Sequence, residues 1–360
     1  MSGGVDSSVA AALLLGHGHD VTGVTMKLWG GDSDSGCCSV SDVDDARRVA
    51  DQLDISHHVF NFGRDFDRHV VQPYVADHRA GRTPNPCIAC NRHLKFDRLL
   101  ERATVLGFDA VATGHHARVV ARADGTRRVA RGADPAKDQS YVLHVLDQKA
   151  LARVVLPVGD RTKPEVRALA AELGLRTATK PDSQDVCFIT STGGRRAFLG
   201  ARAALTPGRV VDTAGRPVGR VDAVELVTVG QRRGLGLPGG DDPSYALGVD
   251  AAAATVTVGP AAELLVDAQG VDRVGWAAGP VTGPVLVQCS AHGAPRAGEL
   301  VGGRPDERLV RWSHPEARVA PGQSVVFYEG DEVLGGGRAV GSVLVAGLHA
   351  PGASVQQERL

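Results

Sequence analysis

The string Ser2-Gly3-Gly4-Val5-Asp6-Ser7-Ser8 runs directly into the apolar stretch 7–15, SSVAAALLL. Two adjacent glycines let the backbone approach a ligand closely, and a helix starting there turns its first N–H groups toward an anion. Ser2, Ser7 and Ser8 add hydroxyls, and Asp6 is placed to meet a Mg²⁺ carried on bound phosphates. The string has no Walker lysine, so it is not the loop of the kinase-like or GTPase-like NTPases. A phosphate loop of this kind needs a sheet behind it, which confines the fold to the α/β class.

The rest of the N-terminal half fits that frame. Helix 7–15 closes at Gly16 and Gly18, and a buried strand follows at 20–28. Helix 41–54 leads to strand 55–60, then come helix 65–80, a loop at 81–91, helix 92–106 and strand 108–113. Strands alternating with helices of this length mean a parallel sheet covered on both faces. Residues 117–131 read as an excursion hairpin turning at Asp124-Gly125, and helix 162–174 ends at Gly174. Gly114-His115-His116 follows a strand end, where such a sheet would close a nucleotide site. Beyond residue 200 the texture changes to short Val-rich runs over 206–260 and 271–348, divided by Gly and Pro, which reads as two small β modules.

The net charge of −1 conceals a segregation. Residues 1–60 carry 3 basic and 9 acidic side chains, 61–234 carry 29 and 18, and 235–360 carry 8 and 14. The middle is +11 and faces either solvent or a polyanion. No run of 18 apolar residues exists to span a membrane, and the N-terminus shows no secretory signal. Six cysteines in 360 residues are no disulfide scaffold, so the expected compartment is the cytoplasm.

Three of those cysteines stand apart. Cys87 and Cys90 lie in Thr83-Pro84-Asn85-Pro86-Cys87-Ile88-Ala89-Cys90-Asn91, and Cys187 lies in Asp182-Ser183-Gln184-Asp185-Val186-Cys187-Phe188. A reactive thiolate needs a helix N-terminus or a nearby cation, and Arg92 and Lys95 are close in sequence to the first pair. A structural zinc site is the other reading of Cys-x-x-Cys, but zinc wants four ligands and no second such pair exists. Cys37-Cys38 reads as a loop feature, and Cys289, in a Val-rich strand, as core.

The phosphate loop resembles the PP-loop of the ATP pyrophosphatases. With both cysteine motifs, Lys137-Asp138-Gln139-Ser140-Tyr141 and Gly230-Gln231-Arg232-Arg233-Gly234-Leu235-Gly236, the chain resembles the bacterial tRNA-specific 2-thiouridylase (MnmA) family over nearly its whole length. The resemblance implies a Rossmann-like PP-loop domain over 1–200, a small central β-rich domain over 201–265 and a C-terminal β-barrel over 266–360. It implies ATP-dependent replacement of O2 by sulfur on the wobble uridine, position 34, of Lys, Glu and Gln tRNAs, with AMP and pyrophosphate released. A cysteine desulfurase or a sulfur relay protein would supply the sulfur.

On this resemblance Cys187 matches the persulfide-bearing position and Cys90 the thiol that attacks the persulfide, leaving a transient Cys90–Cys187 disulfide. ATP would be held by Ser2, Gly3, Gly4, Val5, Asp6, Ser7, Met26 and Gly114. Asn85, Pro86 and Cys87 match the loop that meets a flipped target base. His115, Lys137, Asp138, Gln139 and Gln323 match positions that contact tRNA. Two departures stand out. Many relatives have Asp where this chain has Cys87, and a basic-aromatic stretch of the barrel is replaced near Ala291-His292-Gly293. Cys87, Cys90 and Cys187 are also a three-thiolate set for a [4Fe–4S] cluster with one open iron, so cluster and persulfide schemes both stand at this point.

Two rival classes remain. PP-loop ligases that form amides or guanidines use nitrogen nucleophiles and need neither cysteine motif, and a metal-dependent RNA-binding module would not need the phosphate loop. One further expectation follows from the sheet. A phosphate loop follows a central strand buried on both faces, and here the loop begins at Ser2. The reading is that Met1 is an internal methionine and that a short Val/Ile-rich strand precedes it.

Overall fold

The computed structural model of the protein describes residues 1–28, 40–182, 186–190, 193–238 and 243–341. Helix α1 (Val5–Gly16) starts at the phosphate loop. It buries Val5, Val9 and Ala10 against α2 (Val40–Gln52) and α5 (Lys163–Glu172), with Val49, Val166 and Ala170 completing that core. Thr162 caps α5 reciprocally with Glu165, each side chain accepting from the other's backbone N–H. Strand β1 (Gly23–Lys27) pairs in parallel with β2 (His57–Asn61), and β3 (Val111–Ala112) pairs in parallel with β6 (Val154–Val155). The expected parallel pairing is present, and among the described residues it takes the form of two two-stranded pairs. Met1 runs beside β1, its amino group donating to Val24 O and its carbonyl accepting from Thr25 Oγ1 at 2.7 Å.

Two helical runs cover these strands. The run α3 spans 63–79, with the wider π form at Asp67–Val71, and α4 spans 86–105, with π geometry at Asn91–Arg98. The sequence places residues 81–91 in a loop, but α4 begins at Pro86. Asn85 Oδ1 accepts from Cys87 N at 3.0 Å, and Pro86 brings a preset φ and no N–H to satisfy. Cys87 and Cys90 therefore sit in the opening turns of a helix. Two shorter helices, α6 (Cys187–Thr190) and α7 (Arg195–Gly200), follow α5.

The hairpin of β4 (Ala117–Ala121) and β5 (Arg127–Arg131) turns at Asp124-Gly125, where Asp124 Oδ1 accepts from Thr126 N at 2.9 Å. The central module is a four-stranded sheet of β7 (Gly208–Val211), β8 (Pro217–Val221), β9 (Tyr245–Asp250) and β10 (Thr255–Gly259), in the order β8-β7-β10-β9. Beyond it come β11 (Leu265–Trp276), β12 (Gly283–Gln288), β13 (Arg296–Val301), β14 (Arg308–Ala317), β15 (Ser324–Glu329) and β16 (Glu332–Ala339). These form an antiparallel barrel in the order β11-β14-β13-β12-β15-β16, closed by β16 on β11 and filled by Val271, Val287, Val310 and Phe327. Closure removes the exposed edges that such short strands would otherwise present.

The barrel and the N-terminal domain share a core. Ile88, Phe96 and Tyr141 pack in one cluster with Val326, Tyr328 and Val333 of the barrel, and β5 meets β16 at Ala130 and Glu332. Tyr141 donates its hydroxyl to Ser324 O at 2.9 Å. His144, fully enclosed in this interface, donates from Nδ1 to Tyr141 O at 2.8 Å, and burial pulls its pKa down to about 4. His78 on α3 donates likewise to Glu225 O in the central module at 3.0 Å, and burial pulls it also to about 4. Each imidazole is neutral when folded but titrates near its ordinary 6.5 when unfolded. The unfolded state thus takes up more protons, and stability falls as pH drops from about 6.5 to about 4. Urea unfolding across that range should show the loss, and His78→Gln and His144→Gln together should flatten it.

Candidate functional site

Gly3 holds the phosphate loop in the left-handed region, at φ +70°, where a Cβ would collide with the Asp42 carbonyl of α2. Ser7 Oγ accepts from Ser2 N and donates to Gly4 O, both at 3.1 Å, and Ser8 Oγ donates to the same carbonyl at 2.9 Å. No side chain caps α1, which leaves its first N–H groups for an anion. Gly114, after β3, lies against this loop: a Cβ there would stand 2.6 Å from Asp6 C and 2.7 Å from Ser7 N. Both neighbours are backbone and cannot yield without moving the loop. Gly114→Ala is expected to weaken ATP binding by about tenfold or more, the equivalent of the 1–3 kcal/mol that overpacking costs, as isothermal titration would show.

The loop's acid carries its own counter-charge. Lys163 Nζ, buried at the start of α5, donates to both carboxylate oxygens of Asp6 at 2.7 Å, and His116 Nε2 lies 3.1 Å from Oδ1. Burial pushes the Asp6 carboxyl up, but the hydrogen bonds and charges of His116 and Lys163 outweigh it and hold it below the usual range. The same ammonium reaches Asp182 Oδ1 at 2.8 Å, while Lys137 Nζ holds Asp182 Oδ2 at 2.8 Å and Arg167 reaches Oδ1 at 2.7 Å. Desolvation opposes ionisation there too, and Lys137 and Lys163 overcome it, holding Asp182 well below an ordinary aspartate. Nothing in the sequence marks Lys163: it lies 157 residues from Asp6 and follows an ordinary cap. His116 lies in the Gly114-His115-His116 segment that the sequence places at the nucleotide site, but nothing in the sequence marks its contact with Asp6.

His115 is buried, and burial with the charges of Lys95 and His116 drives its pKa far down, so the ring is neutral. Lys95 Nζ, which can only donate, lies 3.3 Å from Nε2, so Nδ1 carries the hydrogen toward Thr113 Oγ1 at 2.8 Å. In the Lys137-Asp138-Gln139 stretch, Asp138 and Gln139 turn inward. Asp138 accepts from Arg131 at 2.9 Å and Ser140 Oγ at 2.7 Å, and Gln139 Oε1 accepts from His116 N at 2.9 Å. Thr83, ahead of Asn85, ties three modules together. Its N–H donates to Pro321 O at 2.7 Å, two residues before Gln323, and its hydroxyl meets Thr228 Oγ1 of the central module at 3.3 Å.

The cysteine segments converge. Cys90 from α4 and Cys187 from α6 both pack, half-buried, against one cluster of Leu28, Phe66, Leu94 and Phe188, and Met26 at the end of β1 packs against it too. Cys87 is exposed one turn earlier. The described residues contain no group of three or more His, Cys, Asp or Glu that could hold a metal ion, so the three thiols do not form a ready cluster site. Cys289 lies just past β12, and burial raises its thiol to about 11, as for an inert core cysteine. Cys37-Cys38 and Ser183-Gln184-Asp185 lie outside the described residues. No helix among the described residues is long and apolar enough to cross a membrane.

A phosphate loop without a Walker lysine, on an α/β domain joined to a small β module and a closed barrel, defines a PP-loop nucleotide-binding protein. Three families match in order: the tRNA methyl transferase HUP domain over residues 1–191, the tRNA methyl transferase PRC-barrel domain over 196–260, and the aminomethyltransferase beta-barrel domain over 271–339. The chain is 47% identical to the tRNA-specific 2-thiouridylase MnmA of Chloroflexus aurantiacus, over 94% of this chain and 96% of the relative. It is 45% identical to that of Geobacter metallireducens, over 94% of both, and 46% identical to that of Streptomyces avermitilis, over 93% and 92%. The chain belongs to the MnmA family of tRNA-specific 2-thiouridylases.

Proposed function

We propose that the protein replaces O2 of the wobble uridine of tRNA by sulfur, using ATP for activation and Cys187 as the sulfur carrier. The observation that carries this reading is the convergence of Cys90 and Cys187 on the apolar cluster that also holds Met26, at the end of the strand flanking the phosphate loop. A urea-type carbonyl oxygen is a poor leaving group. Its attack on the α-phosphorus expels pyrophosphate and makes it part of AMP. The open N–H groups of α1 and the buried Lys163 ammonium supply the positive field for the departing pyrophosphate. A Mg²⁺ arriving on the phosphates would compete with Lys163 for Asp6 and so draw that carboxylate onto the nucleotide.

Sulfur is then delivered from Cys187 as a persulfide. The Cys90 thiolate attacks the Cys187 sulfur, the terminal sulfur leaves as hydrosulfide, and a Cys90–Cys187 disulfide remains for an external thiol to reduce. Hydrosulfide adds at C2 and AMP departs. The expected donor is a cysteine desulfurase or relay protein, and the expected substrates are Lys, Glu and Gln tRNAs. Incubation with ATP, sulfide and an unmodified transcript of one of these tRNAs, followed by nucleoside mass spectrometry, should yield 2-thiouridine at position 34 and one AMP per base; AMP without thiolation would overturn the reading. Lys137→Ala should also reduce the slope of log affinity for tRNA against log salt by roughly 0.7–0.9, the share of one phosphate contact. An unchanged slope would leave Lys137 as only the partner of Asp182.

A further inference from the structure

The Gly230–Gly236 loop is a marked sequence motif to which the reaction assigns nothing. Its conformation is fixed from several sides. Gln231 Oε1 accepts from Thr228 N at 3.1 Å, its Nε2 donates to Arg233 O at 2.7 Å, and Gln231 O accepts from Ala246 N at 2.9 Å. Leu235 is buried in the module's core, and Gly236, at φ +60°, lies so close to Arg220 O that any Cβ would collide with it. A loop pinned this way presents Arg232 and Arg233 outward, and both are exposed.

The charges around them are unbalanced. Residues 193–238 hold eight arginines and three acids. Each acid is engaged: Asp212 with Arg216 at 2.7 Å, Asp222 with Arg196 at 3.3 Å, and the buried Glu225 with Thr206 N at 3.0 Å. Among the described residues neither Arg232 nor Arg233 has an ion-pair partner, and the next acids, Asp241 and Asp242, lie outside those residues. A cavity of about 230 Å³ beside the loop is lined by Arg196, Arg220, Gln231 and Gly234.

We propose that this loop docks the phosphate backbone of the RNA substrate. Guanidinium forks match phosphate oxygens in pairs, and a pinned loop gives up little entropy in making those bonds. The location supports RNA over another polyanion. Thr228, at the foot of the loop, touches Thr83, two residues from the Asn85 segment expected to meet the target base. The foot of the arginine loop is thus tied directly to the segment that leads to Asn85. The inference rests on RNA being the substrate.

Affinity for a full-length substrate tRNA, measured by fluorescence anisotropy from 0.05 to 0.3 M salt, tests it. Arg232→Ala/Arg233→Ala is expected to bind more weakly and to lower the slope of log affinity against log salt by roughly 1.4–1.8, two contacts' worth. Arg232→Lys/Arg233→Lys should restore the slope, and all forms should bind ATP equally. A slope unchanged by the alanine variant overturns the proposal. So does a slope that lysine fails to restore together with a lowered melting temperature, which would mark a folding role. Intact RNA binding with sulfur uptake lost would also overturn it and mark the loop as a protein-docking surface. A wild-type protein with flat salt dependence would instead refute the RNA reading itself.

Discussion

Cys187→Ser and Cys90→Ser should each reduce 2-thiouridine formation to less than about a thousandth of the wild-type rate, the usual scale for losing an obligatory nucleophile. Serine nearly matches cysteine in size, and both thiols are only half-buried against the Leu28–Phe188 cluster, so neither change should unfold the domain. ATP binding should persist, because no phosphate-loop residue is touched. Sulfide separates the two roles. In single-turnover reactions free sulfide bypasses a carrier, so Cys187→Ser should recover product when sulfide replaces the donor protein. If sulfide fails to rescue and iron and acid-labile sulfide in anaerobically purified protein fall with the mutation, Cys187 is a cluster ligand. Full activity of either variant with the physiological donor would remove both cysteines from the chemistry.

What the sequence made legible was local. The phosphate loop, the Asp124-Gly125 turn and the start of α5 each depend on residues within a few positions of one another, and each is where local chemistry puts it. The start of α4 was equally local. Asn85-Pro86 is an N-cap followed by a proline at the first helical position, yet the Pro-rich run reads as a stiff loop and masks the cap. Lys163 was not legible, because an ammonium that reaches a loop 157 residues away leaves no periodic trace.

The charge segregation had a third explanation. Several cations of the +11 middle segment are satisfied by acids of the flanks: Lys180 by Asp42 and Asp45, Arg122 and Arg128 by Glu329 and Glu332, and Lys163 by Asp6. Part of the imbalance is thus cancelled between modules inside the protein. What is left for RNA is a smaller set of exposed arginines, with Arg232 and Arg233 foremost.

Lys163→Met should cost stability and ATP affinity together. The side chain is 9% exposed and donates to Asp6 and Asp182, which are 30% and 21% exposed. Methionine fills a similar volume, so the change removes the charge more than the packing. Two carboxylates would then share the space of one missing cation, and each would have to protonate or move. Removing one partner from a buried ion pair costs on the order of 3 kcal/mol, and the partial exposure of the acids places the expected loss near or below that figure. The pH dependence follows from the sign of the shifts. Asp6 and Asp182 are both held below their ordinary value of 3.8, so their contribution is present at neutral pH and is lost as pH falls below about 4. The gap between wild type and variant in urea unfolding should therefore persist from pH 7 to about 4 and narrow only as the pH falls below that. Without Mg²⁺, ATP binding should weaken by about a hundredfold, since an uncompensated Asp6 would face the incoming phosphates. Asp6→Asn placed in the Lys163→Met background should recover part of the stability, because it removes the orphaned charge. A single variant as stable as wild type, with unchanged ATP affinity, would mean that Lys163 only fills space.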